Sequence, residues 1–479
     1  MNRYLRQQCY IGGQWIEAVA GEVIAVYNPG NGEQIGIVPR LEAAETRRAI
    51  DVAEAALPSW RTLTAGERSQ ILRRLFDLIL VNQNELAELL TLEQGKPLAE
   101  ARGEIAYAAS FIEWFAEEGK RAYGAVVPSH AADRRIITLK QPIGVVAAIT
   151  PWNFPSAMIT RKLGPALAAG CTMVLKPASA TPFSALALAA LADEAGVPPG
   201  VFNVVTGSAA AIGGELMSNS KVRKLTFTGS TEIGIQLLRG CADTVKKVSM
   251  ELGGNAPFIV FDDADVDAAV DGAIASKFRN AGQTCVCTNR FLVQDSIYEE
   301  FVTKLAARVG ALRLGYGLTD GIEVGPLIDM AAVAKVEEHL EDALAGGARL
   351  LAGGQRDERG GTYFKPTVLA DVTSRMKLAQ EETFGPIAGV IRFSSDEEAV
   401  KIANDTEFGL ASYFYARDLA RVWRVAEALE AGMVGVNTGL ISTEVAPFGG
   451  IKQSGLGREG SRYGLDDYIE LKYICMGIS

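Results

Sequence analysis

An α/β protein with two doubly wound parallel sheets is what this sequence predicts, and three observations carry it. Short apolar runs at 172–175, 201–205, 224–228 and 247–252 alternate with helical stretches across short links. A second strand-and-helix series begins at 257–261, and long amphipathic helices precede the first series. Continuous apolar runs of this length suit parallel strands covered by helices on both faces, and ligands of such sheets lie beyond the strand carboxyl ends.

Taken in order, residues 41–123 read as helix. Ile50, Val52, Ala53 and Ala56 make one apolar face, and Thr64-Ala65-Gly66-Glu67 has the form of a capping box. The runs 136–139 and 145–149 have strand character. Pro151 and Pro155 stop the second of these well short of the roughly 20 apolar residues a membrane-spanning helix needs. Thr181-Pro182 is expected to cap a helix running to Gly196, and helices at 209–217 and 231–241 separate the later strands. In the second series, strands at 290–293, 387–393, 412–415 and 433–436 alternate with helices such as 296–312 and 419–431. The tail 467–473 alternates like a strand but has no partner nearby in sequence, so it needs the strand at 134–139 or the sheet edge of another subunit. There is no internal repeat and no low-complexity linker.

A chain of 479 residues suggests two to four units at about 150 residues each, and 48% apolar content supplies their cores. The net charge of -10 speaks against a surface that neutralises phosphates, so no nucleic acid partner is expected. Six cysteines without a CxxC pair make neither a disulfide framework nor a zinc site of familiar spacing, and no metal is expected. The two histidines, His130 and His339, lie in no motif and are expected at the surface. Their scarcity argues against a Cys-His hydrolase. Residues 1–8 are charged and lack a signal peptide's apolar core, which points to the cytoplasm and to no membrane partner.

The chemistry centres on 278–287, Phe-Arg-Asn-Ala-Gly-Gln-Thr-Cys-Val-Cys, which sets Cys285 behind a Gly-Gln-Thr bend and ahead of a strand-like run at 289–294. A lone cysteine is more often a small buried hydrophobe than a nucleophile. Its company argues otherwise. The strand ends of the first series read Thr150-Pro151-Trp152-Asn153, Lys176-Pro177-Ala178-Ser179, Val205-Thr206-Gly207, Thr228-Gly229-Ser230 and Glu251-Leu252-Gly253-Gly254. The segment 229–234 opens a helix after a strand, as a phosphate site does, although an ordinary Gly-capped turn has the same form.

With Pro-Trp-Asn-Phe-Pro at 151–155, Phe-Thr-Gly-Ser at 227–230, Glu-Leu-Gly-Gly-Asn at 251–255, Gly-Gln-Thr-Cys at 282–285, Glu-Glu-Thr-Phe-Gly-Pro at 381–386 and Pro-Phe-Gly-Gly at 447–450, the chain resembles the aldehyde dehydrogenase superfamily over essentially its whole length. The resemblance implies a cofactor domain (1–122 and 140–252), a catalytic domain (253–440) and a small β oligomerisation arm (123–139 and 460–479), assembled as a homodimer or homotetramer. It implies that Cys285 attacks an aldehyde carbonyl, that Asn153 and the Cys285 N–H meet the oxyanion, and that Glu251 activates water against the thioester. The cofactor residues it implies are Thr150, Pro151, Trp152, Asn153, Lys176, Ala178, Ser179, Gly207, Gly229, Ser230, Leu252, Glu382 and Phe384. Lys162 reads either as a proton relay or as a solvated lysine.

Relatives that prefer NAD typically carry a Glu where this chain has Ser179. The missing carboxylate leaves Lys176 free to pair with a 2'-phosphate, so NADP is the expected cofactor with NAD tolerated. Within the superfamily the chain resembles the NADP-type succinate-semialdehyde dehydrogenases. That subgroup implies Arg161, Arg279 and Ser442 as ligands of the far carboxylate of a short ω-oxo acid, with glutarate semialdehyde or a broader range of aldehydes as alternatives. It also implies a Cys285–Cys287 disulfide that silences the nucleophile, where packing is the other role open to Cys287. A thiol esterase or acyltransferase built on Cys285 is the competing class, and it lacks a histidine partner.

Overall fold

The computed structural model describes residues 2–17 and 21–478. Residues 1 and 18–20, within the span expected to bind cofactor, and residue 479, at the end of the expected arm, lie outside the described residues.

Four helices occupy the span read as helical: Ala43–Thr62, Ala65–Val81, Gln83–Gln94 and Leu98–Glu118. The capping box forms, with Thr64 N–H donating to Glu67 at 2.7 Å and Glu67 N–H to Thr64 Oγ1 at 3.2 Å. The cap expected of Thr181-Pro182 does not form. The helix Phe183–Glu194 instead gives the N–H groups of Phe183 and Ser184 to the carboxylate of Glu93, at 2.7 and 2.8 Å. Burial pushes that carboxyl up to about 8. The first turn thus takes its cap from another helix, a partner that no local motif can reveal.

The first sheet has eight strands in the order Gly455–Leu456, Lys247–Glu251, Val222–Thr228, Val145–Ile149, Thr172–Lys176, Phe202–Val204, Cys9–Ile11, Gln14–Ile16. Its middle strands are parallel and its outer ones antiparallel. Chain order runs from Val145–Ile149 toward one edge and resumes on the other side at Val222–Thr228, which makes the gap between those two strands the topological switch point. The second sheet runs Arg349–Ala352, Thr367–Ala370, Ile387–Phe393, Thr288–Gln294, Ala256–Val260, Ala411–Tyr415, Met433–Val436, parallel except for the first pair. Both expected α/β series are therefore present.

Only residues 252–255 separate Lys247–Glu251 of the first sheet from Ala256–Val260 of the second. The carboxyl end of one sheet consequently meets the amino end of the other, and the strand Thr288–Gln294 lies parallel to and beside Ala256–Val260. The tail strand Ile469–Gly477 pairs antiparallel with Arg134–Pro142, with Tyr473 opposite Thr138, and Ala125–Val127 completes a three-stranded sheet. The tail forms one edge of that sheet, where Leu471 and Tyr473 are exposed. Among the described residues no helix is long and apolar enough to cross a membrane.

The surface position expected of His339 is wrong. It lies fully buried on Met330–Ala345, with Nδ1 3.1 Å from Thr383 Oγ1, because the helix face shared with Val336 and Leu340 packs inward. His130 is exposed.

Candidate active site

The nucleophile loop is held by its backbone. After the helix Val266–Lys277, Asn280, Ala281 and Gly282 all adopt positive φ (51°, 54° and 77°), a conformation unfavourable for the first two and natural for the third. A side chain at Gly282 would meet the carbonyl oxygen of Gly385 at 2.3 Å, and one at Gly254 would meet that of Cys285 at 2.5 Å. These two glycines let the 382–386 segment and the 251–255 link close on the thiol loop. Thr284 O accepts from Cys287 N–H at 3.0 Å, and Val286 O accepts from Tyr413 Oη at 2.8 Å, which fixes the loop on its other side.

Cys285 borders two cavities. The first, about 210 Å³, lies at the switch point of the eight-stranded sheet and is walled by Pro151, Trp152, Asn153, Gly229, Ser230, Leu252, Glu382 and Phe384. The second, about 310 Å³, is walled by Arg161, Arg279 and Ser442 together with apolar Phe154, Met158, Val286 and Phe448. Low-polarity walls push the Cys285 thiol up to about 12, against the nearby Arg161, which draws it down. Such a thiol needs help to ionise at neutral pH.

Asn153 connects the two halves. Its Nδ2 donates to Gln283 O at 3.0 Å, while its own carbonyl accepts from Lys96 Nζ at 2.8 Å and Asn280 Nδ2 at 3.0 Å. Lys96 is fully buried, paired with Glu104 at 2.6 Å, and Glu104 also accepts the Ser156 N–H at 2.9 Å. One hydrogen of the Asn153 amide remains for a ligand, and the Cys285 N–H donates to no protein group among the described residues. Two donors of this kind suit an oxyanion.

Glu251 ends its strand inside the site, with one carboxylate oxygen buried and unpartnered. Burial first, and then the neighbouring Glu459 carboxylate, hold its pKa well above the ordinary value. The solvated reading of Lys162 fails, because the side chain is fully buried on the wholly buried helix Ala157–Ala169, donating to Thr228 Oγ1 at 2.8 Å and paired with Glu459. Arg161, on the same helix, lies 2.8 Å from Glu459 through Nε, at ion-pair distance but without hydrogen-bond alignment, and its Nη2 has no partner. Its guanidinium stacks over Phe448 at 3.8 Å. Arg279 has no carboxylate within ion-pair distance among the described residues and lies 5.3 Å from the Phe154 ring.

Thr150, Lys176, Ala178, Ser179 and Gly207 lie at neighbouring strand ends and do not line the smaller cavity. Thr150 has a buried, unpartnered hydroxyl. Lys176 is buried with a single 3.3 Å contact to Pro177 O, Ala178 is half-buried and Ser179 is exposed. Gly207 is pressed against the Leu41 backbone, where an added Cβ would come within 2.1 Å of the carbonyl oxygen, so packing alone demands glycine there. Ser230, in the cavity wall, caps Thr231–Ala242, so the amino end of that helix adjoins the cavity. Glu382 accepts the Gly254 N–H at 3.1 Å, with burial pushing its pKa up to about 7, and Phe384 meets Trp152 edge-on at 5.6 Å. Unpartnered hydroxyl, buried amine and helix amides at one switch point fit the phosphates and riboses of a dinucleotide. Cys287 lines neither cavity. Its Sγ contacts the main-chain oxygens of Lys277 and Thr288 at 3.4 Å, and both thiols are free.

Sequence reasoning missed Glu459, Lys96, Glu104 and Tyr107. Each sits in a stretch with no motif, and only the folded contacts single them out.

Comparison with known proteins agrees with this geometry. Residues 15–474 match the model of the aldehyde dehydrogenase family. The chain is 67% identical over 473 residues to the NADP(+) succinate-semialdehyde dehydrogenase GabD of Escherichia coli (strain K12), covering 99% of this chain and 98% of that protein. It is 66% identical over 475 residues to the glutarate-semialdehyde dehydrogenase of Pseudomonas aeruginosa, with 99% and 98% covered. The crystal structure of an E. coli NADP-dependent enzyme superposes with a TM-score of 0.99 at 66% identity, covering 100% of this chain and 99% of that one. A thiol, a buried carboxylate and an amide gathered between two doubly wound sheets, in a chain matched over almost its entire length, leave one conclusion: the protein belongs to the aldehyde dehydrogenase family.

Proposed function

We propose that the protein oxidises succinate semialdehyde to succinate with NADP, NAD serving less well, and that glutarate semialdehyde is the alternative substrate, since one methylene is worth only about 1–3 kcal/mol in a pocket. The observation that carries this reading is the position of Cys285 between two cavities, one ending in two guanidinium groups and the other at the sheet's switch point. On this reading the Cys285 sulfur adds to the aldehyde carbon while Asn153 Nδ2 and the Cys285 N–H hold the oxygen that becomes negative. A nicotinamide dinucleotide, when bound, supplies the acceptor for the hydride shed by the thiohemiacetal, leaving a thioester on Cys285. Pro151, Trp152, Gly229, Ser230, Leu252, Glu382 and Phe384 would hold its nicotinamide side, and Thr150, Lys176, Ala178 and Ser179 its adenosine side. Glu251 takes a proton from water, which cleaves the thioester, and Lys162 with Glu459 stands next in line to receive that proton. The esterase reading is weaker, since His339 is committed to Thr383 and His130 is exposed.

In the same reading, 1–122 and 140–252 bind cofactor, 253–440 carry the thiol, and 123–139 with 460–479 join copies into a dimer or tetramer in the cytoplasm. A Cys285–Cys287 disulfide would silence the enzyme, and closing it requires Cys287 to leave its contacts with Lys277 and Thr288.

Arg279→Ala and Arg161→Ala are each expected to raise KM for succinate semialdehyde roughly a hundredfold, because a buried carboxylate loses a forked partner. KM for uncharged propanal should move less than about threefold, since it has no carboxylate to lose. Steady-state kinetics with both aldehydes checks this, and equal effects on both overturn the assignment. For the cofactor, kcat/KM should be higher with NADP than with NAD, and Ser179→Glu should reverse that order by placing a carboxylate beside the 2'-phosphate. A wild type that strongly favours NAD refutes the argument from Ser179.

A further inference from the structure

One buried ion pair beside the site takes no part in the chemistry. Lys96 stands in the turn between Gln83–Gln94 and Leu98–Glu118, and Glu104 lies on the second of these helices, whose face with Gly103 and Tyr107 walls the larger cavity. Their side chains are 0% and 1% exposed and 2.6 Å apart. A pair so far from water adds little stability over apolar side chains of the same shape, because desolvating two charges offsets most of their attraction. Stability therefore does not explain why charges stand here.

Their contacts do. Lys96 Nζ donates to Asn153 O at 2.8 Å and lies 3.7 Å from the centroid of the next ring along, Phe154. Glu104, held by Lys96 through one oxygen, accepts the Ser156 N–H at 2.9 Å and the Ala157 N–H at 3.3 Å through the other. The pair thus ties down the segment that carries Asn153 and the first turn of the helix after it. Across the gap, Asn280 Nδ2 donates to Asn153 O at 3.0 Å and to Gln283 O at 3.1 Å, and Asn153 Nδ2 donates to Gln283 O at 3.0 Å. Among the described residues Lys96 and Asn280 are the only donors to the Asn153 carbonyl. The Lys96 turn is itself clamped. Gly95 has a φ of 94°, a Cβ on it would meet Pro326 at 2.7 Å and Pro29 at 2.8 Å, and Gln94 links the Lys96 N–H at 3.0 Å to Asn280 at 2.9 Å.

We infer that Lys96, set by Glu104, is a positioning residue for the oxyanion donor: it fixes the Asn153 main chain so that the free amide hydrogen faces the place where the substrate oxygen becomes negative. The inference rests on the aldehyde oxidation proposed above and adds to it the group that sets its geometry. A preset donor stabilises charge because it need not reorient as the charge forms. Displacing such a group by about 1 Å can cost about a hundredfold in rate. Gln283 O takes one hydrogen of the Asn153 amide and so sets its plane, while Lys96 sets the backbone from which that amide hangs. Asn280 belongs to the nucleophile loop, whereas Lys96 anchors Asn153 to the helical layer, independently of the sulfur.

The test is a double-mutant cycle between Lys96→Met and Asn153→Ala. It is read with succinate semialdehyde and NADP and, separately, with 4-nitrophenyl acetate, whose acyl transfer to Cys285 would use the same donors without a cofactor or a semialdehyde. Lys96→Met is expected to lower kcat/KM for both about tenfold to a hundredfold, through kcat, with KM for succinate semialdehyde moving less than about threefold. In the Asn153→Ala background the same change should cost less than about twofold, because the donor it positions is gone. A residue that only holds the fold together loses activity equally in both backgrounds, and that result overturns the inference.

Lys96→Met leaves Glu104 as a lone buried carboxyl, so Lys96→Met/Glu104→Gln is taken through the same cycle, with a thermal melt of each protein. A pair variant that melts near wild type and is still slow supports the inference, and one that also recovers wild-type kcat overturns it. Wild type silent toward succinate semialdehyde, with the ester showing the expected non-additivity, defeats the proposed substrate and leaves the positioning role standing. Oxidation intact with additive losses defeats the positioning role alone, and a wild type inert toward both compounds removes the two together.

Discussion

Cys285→Ser is expected to lower kcat/KM for succinate semialdehyde by at least about a thousandfold, because replacing the nucleophile removes the covalent step on which the other groups depend. A hydroxyl there has no activating histidine. His339 is bonded to Thr383, and His130 is exposed. NADPH absorbance measures the loss, and mass spectrometry of the trapped acyl-enzyme should find the adduct on Cys285 in wild type and nowhere in the variant. The thiol's elevated pKa, about 12, adds a second reading. In the protein without cofactor, alkylation of Cys285 by iodoacetamide should rise about tenfold per pH unit between pH 7 and 9, since the thiolate is the reactive form. A serine variant that works as fast as wild type removes the chemical centre of the proposal, whereas alkylation flat across that range shows a thiol already ionised at pH 7.

Glu251→Gln is expected to lower kcat by roughly a hundred- to ten-thousandfold, with a shape that identifies the failing step. Acylation still releases about one equivalent of NADPH per site, after which the thioester persists because no base activates water. Stopped-flow absorbance should show that burst followed by a near-flat phase. The sign of the pH effect follows from the environment. Burial and the Glu459 carboxylate favour the protonated form of Glu251, and only the deprotonated form is a base. Wild-type kcat should therefore fall as pH drops through the raised pKa of Glu251, and this acid limb should vanish in Glu251→Gln. A variant that hydrolyses the thioester at the wild-type rate assigns the base elsewhere.

What the sequence revealed follows from how its information is stored. Strands 145–149, 387–393 and 433–436 were legible to the residue, because apolar runs closed by Gly, Pro or Asn are local signals. The placement of Cys285, Glu251 and Asn153 around one gap was legible only through motif order. Contacts between side chains far apart in the chain left no trace. Glu93 caps a helix 90 residues away, and Lys162 with Arg161 meets Glu459 across nearly 300 residues. Each of those residues reads alone as a surface charge, since charged side chains are rarely buried without a partner and the partner is invisible from either side. His339 misled for the same reason, its apolar helix neighbours outweighing its polarity once packed. Tyr107 had no signal at all, because a tyrosine in the middle of a helix is ordinarily half-buried packing.

The link of residues 252–255 sets a limit on how this chain can vary. Strands advance about 3.3 Å per residue, so inserting or deleting a single position there would shift the carboxylate against the sulfur by more than a hydrogen bond can span. Loops elsewhere on the surface can lengthen without disturbing the reaction, whereas this tether works as a ruler, and descendants of the protein can be expected to keep its length even where they replace its letters.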